Sequence, residues 1–107
     1  MSERTASLPQ GAEAYRTIGP FDAASLPKGL RAEHSLKPGT WGLLELTEGA
    51  LRFVWDDEKG GAEEISAPAS LVVAPEVLHH VEGSGPFTLT ITFYRNTDST
   101  TGGGLPR

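Results

Sequence analysis

Phe87, Leu89, Ile91 and Phe93 alternate with Thr88, Thr90 and Thr92, a period of two that gives one extended segment an apolar face and a polar face. That apolar face has to be buried. Leu51, Phe53 and Trp55 alternate in the same way with Arg52 and Val54, predicting a second strand with its aromatics inward and its arginine outward. Gly49 before it and Asp56-Asp57-Glu58-Lys59-Gly60-Gly61 after it read as turns. Residues 41–46 predict a third strand, joined to the second by a tight hairpin through Thr47-Glu48-Gly49. Shorter strands are predicted at 14–18, 63–65, 71–73 and 79–82. The stretch 19–29, with Pro20 and Pro27, has room for one helical turn and no longer helix. Short strands at close spacing with turns between them predict an all-β sandwich or small barrel.

Composition narrows this picture. With 107 residues, 37% of them hydrophobic, the chain has room for one domain and one core. Thirteen glycines and eight prolines favour turns over helices. The net charge of −5, with no cluster of Lys or Arg, argues against nucleic acid as a partner. No cysteine is present, which removes thiolate metal ligands, disulfides and a cysteine nucleophile. No apolar stretch approaches the roughly 20 residues that span a bilayer, so the expectation is a cytoplasmic protein with no membrane partner. Residues 1–12 and 96–107 read as loose, polar ends around an ordered domain at 13–95. Gly83-Ser84-Gly85 reads as a turn and not as a nucleophile elbow, which needs a strand before it and a helix after it.

The candidate chemistry rests on histidines. In residues 30–37, Leu30, Ala32, His34 and Leu36 share one face of an alternating segment, while Arg31, Glu33, Ser35 and Lys37 share the other. His34 therefore points with the apolar side. In residues 79–82, alternation turns His79 and Val81 inward and His80 and Glu82 outward. Two imidazoles from different segments then face the interior, where each unpaired polar group costs about 1 to 3 kcal/mol. Each ring can bond a backbone carbonyl, or both can share a ligand that offsets the two penalties together. His80 is expected at the surface. Trp41 and Trp55 read as core aromatics, and Lys37 and Arg52 as solvated.

The motif pair H-x-x-K-x-G-T-W-G, at His34, Lys37, Gly39, Thr40, Trp41 and Gly42, and P-x-x-x-H-x-V-E, at Pro75, His79, Val81 and Glu82, resembles the cupin-like domain found at the N-terminus of some tellurite-resistance methyltransferases. The same domain occurs as stand-alone bacterial proteins of uncertain function. The resemblance implies an all-β, double-stranded β-helix (jelly-roll) barrel. In cupins generally, the mouth of that barrel holds a divalent metal on histidines and a carboxylate. Carried over to matching positions, the metal ligands are His34, His79 and Glu82, with Glu82 re-aimed by a β-bulge and Glu45 or His80 as rivals for the third place. Imidazole and carboxylate donors suit Zn, Fe, Mn or Ni. Leu36 and Gly42 stand where general cupins carry further ligands.

Three functional readings follow. The first is a small cupin-type metalloprotein that meets a small molecule at a bound metal, in stress or oxyanion resistance of the tellurite kind. The second is a metal-free binding or sensing module in which the histidines are hydrogen-bonding groups of a ligand pocket. The third is a structural partner domain that works as a homodimer through an exposed sheet.

Overall fold

A computed structural model describes residues 7–83 and 85–96; of the expected loose ends at 1–12 and 96–107, residues 1–6 and 97–107 lie outside them, as does Ser84 of the predicted 83–85 turn, while Ala12 and Asn96 pair with each other in strands. The elements are β1 (Ala12–Asp22), α1 (Lys28–Arg31), β2 (Thr40–Trp55), β3 (Ala62–Ser66), β4 (Ala69–Val73), β5 (His79–Glu82) and β6 (Phe87–Asn96). The fold is all-β, with one four-residue helical turn after Pro27.

The architecture is organised by β2, whose first half pairs with both β6 and β4 and whose second half pairs with both β3 and β5. Beyond β6 lies β1, so the order β1-β6-β2-β4 makes one sheet and β3-β2-β5 the other, with every pairing antiparallel. In the first half of β2 the even positions are buried, including Leu44 and Leu46; in the second half the odd positions are, namely Leu51, Phe53 and Trp55. A change of parity within one strand requires an irregularity, and the ladder with β6 shifts register between Leu46 and Glu48.

That irregularity corrects the expected hairpin at Thr47-Glu48-Gly49. The chain does not reverse there, because β6 continues its pairing through Gly49↔Phe87 and β3 takes over at Ala50↔Ser66. Gly49 makes the bend possible: its φ is 78°, and a Cβ there would lie 2.0 Å from the Pro86 carbonyl oxygen. A glycine between two alternating runs reads equally well as a hairpin or as a bulge, and here the tertiary pairing decides.

The core lies between the two halves of β2. Leu89, Leu46 and Phe53 are its most enclosed side chains, flanked by Phe87, Val81, Leu51, Leu44 and Leu26. The alternations predicted around Phe53 and Leu89 therefore place the correct faces inward. Trp55 is a core residue, whereas Trp41 sits on the outer face of β2 with Leu43 and Glu45.

Candidate functional site: a two-histidine cavity

The segment before β2 differs from its predicted strand. Leu30 and Arg31 belong to the helical turn α1, and the extended part is reduced to one isolated bridge between His34 and His79. The His34 N–H donates to the His79 carbonyl at 3.0 Å and the His79 N–H donates to the His34 carbonyl at 2.8 Å. Two residues further on, the Glu76 N–H donates to the Leu36 carbonyl at 2.8 Å. Glu76 has a φ of 64°, so the chain turns sharply just before it enters β5. Arg31, expected on the solvent side, anchors the helical turn by donating to the Ala23 and Gly83 carbonyls.

This pairing holds the two imidazoles together, with ring centroids 4.2 Å apart in an edge-to-face arrangement. His79 is 4% exposed and its other face stacks on Phe53 at 5.1 Å. His34 Nδ1–H donates to the Ala32 carbonyl at 2.8 Å, and His79 Nδ1–H to the Val77 carbonyl at 2.7 Å. A carbonyl only accepts, so both rings carry a proton on Nδ1, and in the neutral form of either ring this leaves Nε2 as a lone-pair acceptor. Neither Nε2 has a hydrogen-bond partner among the described residues, and among the same residues the sealed side-chain atom without a partner is Glu63 Oε1 on β3. Burial is the main cause that lowers the His79 pKa to about 4, opposed by its bond to Val77 and reinforced by His34.

Both rings line a cavity of about 220 Å³, whose remaining walls are aliphatic, aromatic or glycine, among them Leu26, Leu36, Leu44, Val73, Val81 and Ile91. His34 and His79 are the only lining residues with polar side-chain atoms. The walls come from β2, β4, β5, β6 and the segment around α1, so the cavity is a property of the whole fold.

Glu82 is not brought to this site. β5 pairs with β2 in unbroken register, from Arg52↔Glu82 to Trp55↔His79, with no bulge to re-aim a side chain. Glu82 therefore faces outward, accepting from His80 Nε2–H at 2.8 Å and lying 3.6 Å from Arg52. Glu45 is exposed on the outer face of β2. His80, expected as a free surface residue, is instead clasped by two carboxylates, its Nδ1–H donating to Asp56 at 2.7 Å. Glu82 first and Asp56 second raise its pKa, because the protonated ring has a carboxylate to donate to at each nitrogen. Asp56 stands 24 positions away, and nothing in the local sequence announces this pair. Arg52 is exposed as expected, but it also bonds Glu64 at 3.2 Å.

The donor set does not fit the divalent metal that the cupin resemblance implies. Such a site wants three or four converging donors, and the cavity offers two imidazole nitrogens with no carboxylate beside them. Among the described residues no three His, Asp or Glu side chains are grouped to hold an ion.

Residues 16–91 match the TehB-like domain family. The chain is a TehB-like domain. It is 34% identical over 85 residues to the probable S-adenosyl-L-methionine-dependent methyltransferase TehB of Haemophilus influenzae KW20, a match that covers 75% of this chain and 30% of that protein. The same-named protein of Haemophilus influenzae strain 10810 is 33% identical over the same length and share. The chain thus spans under a third of the curated relatives it matches. Among solved structures, TehB from Haemophilus influenzae superposes with a TM-score of 0.75 at 25% identity, covering 87% of this chain and 35% of that one. A protein from E. coli strain K12 superposes with a TM-score of 0.75 at 23% identity, covering 84% of this chain and 96% of that chain, which shares the fold over nearly its full length. FeII HppE superposes with a TM-score of 0.50 at 21% identity over 59% of this chain, a likeness of fold alone. The resemblance to the N-terminal domain of tellurite-resistance methyltransferases is shown by the family match. Among the described residues no helix is long and apolar enough to cross a membrane.

Proposed function

We propose that this TehB-like domain is a metal-free small-molecule binding module whose site is the cavity between His34 and His79. One observation carries the reading: both imidazoles, fixed by backbone carbonyls at Nδ1 and with no partner for Nε2 among the described residues, line a cavity that is otherwise apolar. Ligand sites are concave and mostly apolar, with a few placed polar groups that orient the guest. The site has that form, and both ends of the motif pair contribute to it. The closure of the two sheets into a cupin-type barrel is part of the same proposal, supported by the partial likeness to FeII HppE. Such a module gives a methyltransferase relative a place to hold or sense a small molecule, and it is in this sense that the domain serves resistance chemistry.

The test is a fragment screen by protein NMR on the full chain at neutral pH. The expected result is that binders shift resonances of His34, His79, Leu36 and Val73 together. A diverse screen with no hit at these residues overturns the proposal.

A further inference from the structure

Resting on the reading of the cavity as a ligand site, we propose that it selects uncharged molecules with an apolar body and one hydrogen-bond donor, such as a phenol or alcohol, and rejects oxyanions and carboxylates. The geometry is one-sided. Of the polar side-chain atoms on the lining residues, only the two Nε2 atoms are left without a partner among the described residues, because each Nδ1–H is already given to a carbonyl of its own segment. A guest that brings a donor satisfies one or both lone pairs and buries its body against Leu36, Leu44, Val81 and Ile91.

A guest that brings an anion meets the opposite chemistry. No lysine, arginine, hydroxyl or amide side chain lines the cavity. The two lone pairs face the incoming charge, and the apolar walls remove its water without replacing it. Arg52 bonds Glu64 and lies 3.6 Å from Glu82, Arg31 donates to the Ala23 and Gly83 carbonyls, and neither lines the cavity. Any contribution to oxyanion resistance by this domain therefore runs through an uncharged molecule and not through capture of the oxyanion.

Three probes of one shape decide the matter: p-cresol, toluene and p-toluate, titrated into the full chain at pH 7 and followed by NMR at His34 and His79. One neutral hydrogen bond predicts that p-cresol binds roughly five- to tenfold tighter than toluene. The p-toluate anion is expected to bind at least about tenfold more weakly than toluene. His34→Phe, which keeps a ring and removes the acceptor, is expected to narrow the gap between p-cresol and toluene. The ranking on the wild-type chain decides even where that variant does not fold. Equal binding of toluene and p-cresol, or p-toluate binding as tightly as p-cresol, overturns this selectivity while leaving the cavity a ligand site. Only an empty fragment screen overturns both.

Discussion

His34 and His79 exchange both of their backbone hydrogen bonds, at 3.0 and 2.8 Å, and this single bridge sets two imidazole rings 4.2 Å apart on the wall of an apolar cavity. The bridge joins residues 45 positions apart in sequence, one from an irregular segment and one from β5. Each ring is then oriented by a carbonyl two residues upstream, Ala32 for His34 and Val77 for His79. Backbone pairing places the rings and local bonds choose their tautomer.

The buried member of the pair makes stability depend on acid. His79 has a folded pKa of about 4 against 6.5 for the free side chain. Between these values the unfolded chain binds more protons, so stability falls as pH drops from about 6.5 towards 4. After allowance for partial solvent screening, the loss expected from this group is roughly 2 to 3 kcal/mol. Urea denaturation at stepped pH is the check, with His79→Asn flattening the slope in that window. An unchanged slope in the variant would assign the acid dependence to carboxylates.

His80 acts with the opposite sign. Its pKa is raised by Glu82 and Asp56, so its contribution is fully present below pH 6.5 and is lost as pH rises through its folded value. Replacing it by glutamine is expected to remove the decline in stability above pH 6.5 while leaving ligand binding in the cavity intact, because His80 faces away from it. A loss of binding in His80→Gln would contradict the separation of the two faces of β5.

The bend in β2 depends on one residue. Gly49→Ala places a Cβ 2.0 Å from the Pro86 carbonyl oxygen and 2.7 Å from the Phe87 Cα, both backbone, at a φ of 78°. The expected destabilisation is about 2 to 4 kcal/mol by equilibrium denaturation. A variant within about 0.5 kcal/mol of wild type would mean that the strand bends elsewhere.

Much of this was legible in the chain. The alternations around Phe53 and Leu89 fixed which faces are buried, and the same rule turned His79 and Val81 in and His80 and Glu82 out. His34 and Leu36 also point inward, although Leu30 reaches the cavity from a helical turn and Ala32 is exposed. The hairpin at Gly49 misled, because a glycine between two alternating runs marks a reversal or a bulge and only the partners of the strand distinguish them. The outward Trp41 has the same origin: the parity change across the bulge puts the face it shares with Leu43 and Glu45 outside, while Leu51, Phe53 and Trp55 go in. The Asp56–His80 clasp was invisible, since it joins the turn after β2 to β5 across two paired strands. The expectation of Glu82 as a metal ligand came from family likeness and ran against the alternation, and the alternation prevails.

Metal removal gives a further check on the donor set. Overnight dialysis against a chelator is expected to leave the melting temperature and the fragment-binding profile unchanged, and mass spectrometry of tag-free protein is expected to find no stoichiometric Zn, Fe, Mn or Ni. Near-equimolar metal lost in both His34→Ala and His79→Ala would restore the metalloprotein reading and require a third donor from outside the cavity wall described here.

The most direct single measurement is long-range proton–nitrogen NMR of the imidazoles of His34 and His79 at pH 7, recorded with and without p-cresol. Both rings are expected to carry a proton on Nδ1, and the Nε2 resonances are expected to move on adding p-cresol as the lone pairs accept its hydroxyl. A proton on Nε2 in either ring, or Nε2 resonances that stay fixed while p-cresol binds, would contradict a site built on two paired acceptors.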